Sequence, residues 1–300
     1  MGDRPLVCLV TGATGGIGLA TAEGLARAGA HVIMGARSRD RGEAARERVA
    51  RATGSDRLEL AVADLSVQAE VRRLAEETAR AHSRLDVLVN NAGMIASRRQ
   101  ETADGIELTW AVNHLAPFLL TNLLTELLVA SAPARVVTVA SDAHAGANLD
   151  LDDPQFSRRR YGAMAVYGQS KLANILFTVE LARRLAGRGV TANCLHPGLV
   201  GSEFGSKSGG LFAFGWWFVR PFALSPERGG RTSIYLATSP EVAGVTGGYF
   251  VNSRPAAPRP PAMDGDLARR LWDVSERMTG LATAAPKGPE AGPRPAQAPD

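Results

Sequence analysis

Short apolar runs alternate along the chain with longer stretches whose apolar residues recur every three or four positions. Leu6–Val10, His31–Met34, Leu58–Val62, Leu85–Val89, Arg135–Ala140 and Val190–Leu195 read as strands, and a last one is expected at Tyr249–Val251. Between them the periodicity predicts a helix from about Gly16 to Ala28, closed by Gly29, and another starting where Asp40 precedes Glu43 by three residues. A third is expected behind a Ser66 cap, with Val67, Val71, Leu74 and Thr78 facing inward, and longer helical regions fall around 104–130 and 161–186. Val7–Val10 and Val87–Val89 are apolar at every position, as strands covered on both faces must be. Repeated strand–helix–strand units imply an α/β fold: a single domain over about residues 1–252 with a doubly wound, mostly parallel Rossmann sheet and helices on both faces. Pro255, Pro258, Pro260 and Pro261 then make a stiff stretch in an extension over 253–280, which carries an amphipathic helix at Asp264–Gly280. The tail 281–300, proline-rich and almost without apolar residues, is expected to be disordered.

Composition narrows the functional classes. With 45% hydrophobic and 21% charged residues, the 300-residue chain is that of a folded globular protein. No segment supplies the roughly 20 uninterrupted apolar residues of a membrane span. The net charge is +4, and the one dense basic cluster, Arg158–Arg160, lacks interleaved aromatics, so it reads as a solvated loop and not a nucleic-acid surface. Cys8 and Cys194 sit inside apolar runs and read as buried hydrophobes of a reducing compartment; no disulfide and no metal site is expected. The opening MGDRPLVCLVTG has no leader pattern, which makes the cytoplasm the expected location.

The chemistry starts at Thr11-Gly12-Ala13-Thr14-Gly15-Gly16-Ile17-Gly18, between the first strand and first helix. Glycines there permit a sharp turn and let a pyrophosphate approach the N–H groups at the helix's positive end. The spacing T-G-x-x-x-G-x-G departs from the commoner dinucleotide fingerprint because Thr21 stands where its last glycine would be, and no Gly-Lys-Ser/Thr of a triphosphate loop follows. At the tip of the second strand, Gly35-Ala36-Arg37-Ser38 offers no acid for ribose hydroxyls. Arg37 instead suits a 2′-phosphate, so NADP(H) is favoured over NAD(H).

Tyr167-Gly168-Gln169-Ser170-Lys171 places a tyrosine and one of only three lysines four residues apart, on one face of a helix with Asn174. A tyrosine with pKa about 10 is a poor base until nearby positive charge, from a lysine and an oxidised nicotinamide, favours its phenolate. Upstream, Pro117 has no N–H, so in a helix the carbonyl of Asn113 loses its usual partner and can take a water; a simple kink is the alternative.

With these motifs the sequence resembles the short-chain dehydrogenase/reductase family over about residues 5–252. Asn90-Asn91-Ala92-Gly93 matches the family's motif after the fourth strand, and Asp64-Leu65 its adenine-contacting pair. The resemblance implies a catalytic set of Asn113, Ser141, Tyr167 and Lys171, with Ser141 on the substrate oxygen and the Asn113 carbonyl in a water relay. It also implies that Gly12, Thr14, Gly15, Gly16, Ile17, Gly18, Asn91, Ala92, Gly93, Pro197, Gly198, Val200 and Ser202 line the cofactor, with serine at 202 where the family commonly has threonine. Asn113-His114-Leu115, the stretch 167–178 and the 269–276 tail are similar to the retinol-dehydrogenase-like branch.

Seven of the 17 aromatics fall within 204–222, where the family carries a mobile lid, here spanning 203–224. An apolar lid implies a hydrophobic aldehyde, ketone or alcohol as substrate; contact of 211–222 with a membrane surface and plain core packing are the alternatives. The expected function is reversible hydride transfer between NADP(H) and a carbonyl or alcohol carbon. The alternative is a non-catalytic dinucleotide-binding regulatory or scaffold protein, and the helical regions 104–130 and 161–186 leave a homo-oligomer open.

Overall fold

A computed structural model describes residues 4–198 and 225–281. Val200, Ser202, the 203–224 segment and residues 282–300 therefore lie outside the described residues. Eight strands form one sheet in the order β3-β2-β1-β4-β5-β6-β7-β8. They are β1 (Val7–Val10), β2 (His31–Ala36), β3 (Leu58–Val62), β4 (Val87–Asn90), β5 (Ala134–Val139), β6 (Val190–His196), β7 (Tyr249–Val251) and β8 (Arg254–Ala256). All neighbouring pairs are parallel except β7–β8.

Alternation along the strands explains the uniform apolarity of the central runs. Cys8 and Val10, Val32 and Met34, Val87 and Val89 enter one core, while Leu9, Ile33 and Leu88 between them enter the other. The first core is closed by α1 (Gly16–Arg27), α2 (Arg39–Thr53) and α8 (Pro226–Thr238). The second is closed by α3 (Gln68–Ala81), α5 (Ala116–Leu123), α6 (Thr125–Ala130) and α7 (Ala163–Arg184), and α9 (Gly265–Thr279) lies against α7. A short helix α4 (Leu108–Trp110) opens into a π-turn over Ala111–Leu115 before α5.

Two helix starts differ from expectation. Asp40 lies in the first turn of α2, whose N-cap is Ser38. Ser66 does not cap α3: its N–H and hydroxyl both go to Asp64 Oδ1 at 2.9 and 2.7 Å. Asp104, remote in sequence, accepts the Gln68 N–H at 2.8 Å instead. The proline stretch adds β8 to the sheet edge, where Pro255 fits because an edge position tolerates a missing donor. Arg158 and Arg160 are exposed on a loop, as expected, while Arg159 pairs with Asp153 and lies 3.9 Å from the Phe156 ring centre. No helix among the described residues is long and apolar enough to cross a membrane.

Candidate active site

A cleft of about 1230 Å³ opens at the carboxyl ends of the strands, where the chain order reverses between β1 and β4. Gly12, Thr14, Gly15, Gly16, Ile17 and Gly18 form one wall. Gly12 and Gly16 take left-handed conformations, φ 67° and 53°, which side chains strongly disfavour. A Cβ on Gly12 would stand 3.0 Å from the Ala92 Cα, and one on Gly18 would collide with the Gly12 carbonyl and Asn91 Nδ2. Gly15 N-caps α1 with no side-chain bond and no acid follows in the first turn, so the helix N–H groups border the cleft uncapped. A cradle that backbone alone can fill, at a positive helix end, suits the pyrophosphate of a dinucleotide.

Asn91, Ala92 and Gly93 form the adjoining wall. Asn91 braces the loop as much as it lines it: its Nδ2 donates to the Thr11 carbonyl at 2.8 Å. Thr11 Oγ1 in turn accepts the N–H groups of Asn91 and Ala92 at 3.0 and 3.1 Å.

At the outer end, Arg37 is exposed just past β2, and Asp64 and Leu65 border the same cavity past β3. Two cations not singled out from the sequence, Arg41 and Arg48, join them. Their seven-residue spacing, two turns on one face of α2, was the available signal.

At the inner end the cleft reaches Ser141, Tyr167 and Lys171. Ser141 follows β5 and caps the short 3₁₀ turn Asp142–Gly146, its Oγ accepting the Ala143 N–H at 3.2 Å. Its hydroxyl also bonds Tyr167. Lys171 is buried, and its Nζ donates to the Val139 carbonyl at 3.0 Å, 5.6 Å from the Tyr167 ring centre. Burial dominates both titrations: it pushes Tyr167 up to about 12, with the Ser141 bond opposing, and brings Lys171 down to about 8. The expected lowering of the tyrosine pKa is thus not seen in this state, where desolvation outweighs the Ser141 bond.

Asn113 lies behind this surface, fully buried in the π-turn. The Ala116 N–H reaches back five residues to the Ala111 carbonyl, so the helix register slips immediately before Pro117. The Asn113 side chain does work the sequence did not reveal. Its Oδ1 accepts the Met94 N–H at 2.7 Å, and its Nδ2 donates to the Met94 carbonyl and Ser170 Oγ at 2.9 and 3.0 Å. It thereby clamps the 92–94 loop so close to Lys171 that a Cβ on Gly93 would come within 3.3 Å of Nζ.

Pro197 and Gly198 complete the described rim, and His196 accepts the Asp142 N–H at 3.1 Å, fixing the loop that presents Ser141. Met94, Ile95, Val112 and Met164 supply apolar lining that sequence reasoning missed. Met94 and Ile95 follow β4, Val112 lies in the π-turn and Met164 in the first turn of α7, so no single periodicity joins them.

The family model for short chain dehydrogenases matches residues 6–209. Human retinol dehydrogenase 14 is 44% identical over 292 residues, covering 91% of this chain and 86% of that one. The crystal structure of an uncharacterised protein from Mycobacterium paratuberculosis superposes with a TM-score of 0.74 at 34% identity, covering 93% of this chain and 96% of its own. The Pseudomonas aeruginosa RhlG/NADP active-site complex superposes with a TM-score of 0.65 at 28% identity, covering 83% and 94%.

Proposed function

The chain belongs to the short-chain dehydrogenase family, and from that premise we propose that it is an NADP(H)-dependent oxidoreductase acting on a hydrophobic, retinoid-like aldehyde or alcohol. Carbonyl–alcohol interconversion with a nicotinamide dinucleotide is the chemistry of its relatives. One observation carries the finer reading. The bonded Ser141 and Tyr167 hydroxyls, with Lys171 beside them, share a cavity with an uncapped helix N-terminus and three arginines.

In the reductive direction Ser141 Oγ holds the carbonyl oxygen and Tyr167 Oη gives it a proton. The nicotinamide, when bound, supplies the hydride. A phenol pushed up to about 12 remains protonated throughout the neutral range, which suits a proton donor. Lys171 contributes charge beside the phenol and a donor toward the cofactor ribose, and Asn113 holds the loop against which Lys171 packs. The Arg37 guanidinium, with Arg41 bordering the same cavity, favours a cofactor carrying a 2′-phosphate. The lining by Met94, Ile95, Val112 and Met164 favours an apolar substrate, in keeping with the name of the retinol dehydrogenase relative.

The test is NADPH consumption with retinal and a series of aliphatic aldehydes. Tyr167→Phe is expected to reduce turnover about 10²–10⁴-fold while retaining NADPH binding. Unchanged turnover in that variant would refute the assignment. Arg37→Ala should weaken NADPH binding roughly tenfold or more, the scale of a charge-assisted hydrogen bond, with little change for NADH. A wild-type preference for NADH would overturn the cofactor reading.

A further inference from the structure

At the opposite end of the sheet from the cleft, His31, Glu59 and His82 converge from three elements. His31 begins β2, Glu59 is the second residue of β3, and His82 caps the end of α3. Their meeting follows from register. Glu59 pairs with Ile33, whose side chain enters the core beneath α3, and His31, two residues earlier on the same strand, faces the same side. The end of α3 delivers His82 onto that face. Two of the five histidines in the chain thus share one carboxylate.

We propose that these three residues form a divalent transition-metal site, with zinc its best-suited occupant. Two imidazoles and one carboxylate are a borderline-soft N₂O set of the kind that holds zinc with a water in the fourth position; magnesium and calcium prefer all-oxygen shells. Glu59 Oε2 lies 3.3 Å from His31 Nε2 and 3.1 Å from His82 Nε2. Tetrahedral ligands bound at 2.0–2.1 Å stand about 3.3 Å apart, so both spacings already match two edges of a zinc tetrahedron. The two imidazole nitrogens are within 4.8 Å of each other, and small rotations of partly exposed side chains close the third edge.

A second observation favours an ion over a simple ion pair. His82 Nε2 is buried and, among the described residues, has no hydrogen-bond partner, although Glu59 Oε2 is 3.1 Å away. The ring's N–H and its lone pair share one in-plane direction. A nitrogen that misses the nearby oxygen is therefore aimed beside it, where a shared ion would sit. The rings pack edge to face at 5.4 Å, and Glu59, 42% exposed, leaves a path from solvent. The site would pin the edge strand β3 and the end of α3 to β2. It lies about 20 Å from the Arg37 tip, six strand residues at about 3.3 Å each, so it is structural and not part of the cleft.

The experiment is equilibrium dialysis of the full chain, without a polyhistidine tag and stripped by chelator, against zinc and separately cobalt. One zinc per chain, a higher melting temperature with zinc, and visible cobalt absorption are expected. Glu59→Gln and His82→Asn should each weaken zinc binding by more than about 100-fold, beyond the usual range for losing an outer-shell partner, and abolish the thermal shift. Far-UV circular dichroism reports whether each variant folds, and Glu59→Gln, at a half-exposed position, carries the test if His82→Asn does not. No retained zinc in the wild type overturns the proposal. So does equal retention in folded variants, which would place the metal elsewhere.

Discussion

The lysine of the Tyr167–Lys171 pair sits where its charge is costly. Its pKa, 10.5 in water, is brought down to about 8 by burial, and its described acceptor is the Val139 carbonyl. A folded-state pKa below the unfolded value means that the unfolded chain holds the proton more tightly. The cost is therefore fully present below about pH 8 and is relieved as pH rises from 8 toward 10.5. The difference of 2.5 pH units corresponds to about 3 kcal/mol at about 1.36 kcal/mol per unit, an upper bound. Lys171→Met should thus be about 1–2 kcal/mol more stable at pH 7 in urea denaturation, with Asn174 Nδ2, 3.4 Å from the Val139 carbonyl, inheriting the acceptor. Turnover should be lost in the same variant. A destabilised Lys171→Met would show that the ammonium is stabilised and not strained. The same depressed pKa predicts that carbonyl reduction is level through neutral pH and falls above about pH 8, as Lys171 loses its proton while Tyr167, near 12, keeps its own.

Among elements, the interior strands were legible and α8 was not, and the difference is physical. A strand buried on both faces must be apolar at every position, which no polar context imitates. The helix Pro226–Thr238 packs on α1 through Gly230 against Ala20 and Thr21, and through Ile234 against Gly24. Close approach by glycine leaves little hydrophobic periodicity to read. The glycine loop and the Tyr167–Lys171 pair were legible because their spacings are local, whereas Ser141 was reached only through the family resemblance. The Asn113 clamp on Met94, the Asp104 cap on α3 and the convergence of His31 with His82 join residues distant in sequence, and no spacing rule reaches them. Helix α8 also depends on a distant residue. Buried Arg135 on β5 donates to the carbonyls of Leu236 and Ser239 at its end, both at 2.9 Å. Arg135→Met would leave those acceptors without that donor and should cost about 2 kcal/mol or more, read as a lower urea midpoint. An unchanged midpoint would mean that packing on α1 alone holds the helix.

Across the whole molecule, the chain's own α9 packs on α7 and meets α5 through one aromatic cluster. Trp272 stands 4.9 Å from Phe118 and stacks on Phe177 at 5.8 Å, and Arg184 covers its other neighbourhood at 4.2 Å. Beside this aromatic cluster, His114 of the π-turn reaches α9 through Nε2 to Ser275 Oγ at 2.8 Å. The contact ties the segment behind the active site to the last described helix, and it does so with a neutral imidazole. Burial brings His114 from 6.5 down to about 3, opposed by the Asn174 side chain, which favours the protonated ring. The folded protein refuses a proton that the unfolded chain accepts, so stability is retained above about pH 6.5 and lost as pH falls from there toward 3. Each unit within that window costs about 1.4 kcal/mol. Unfolding free energies measured between pH 7 and 4 should therefore fall more steeply for the wild type than for His114→Asn, by about 1.4 kcal/mol per unit once the histidine is fully protonated in the unfolded chain. His114→Asn will be less stable at pH 7, since it loses packing volume, but the slope isolates the proton because contributions common to both chains cancel. Parallel slopes would show that His114 takes up its proton in the folded state, and that the joint between α9 and the π-turn opens in acid without unfolding the rest.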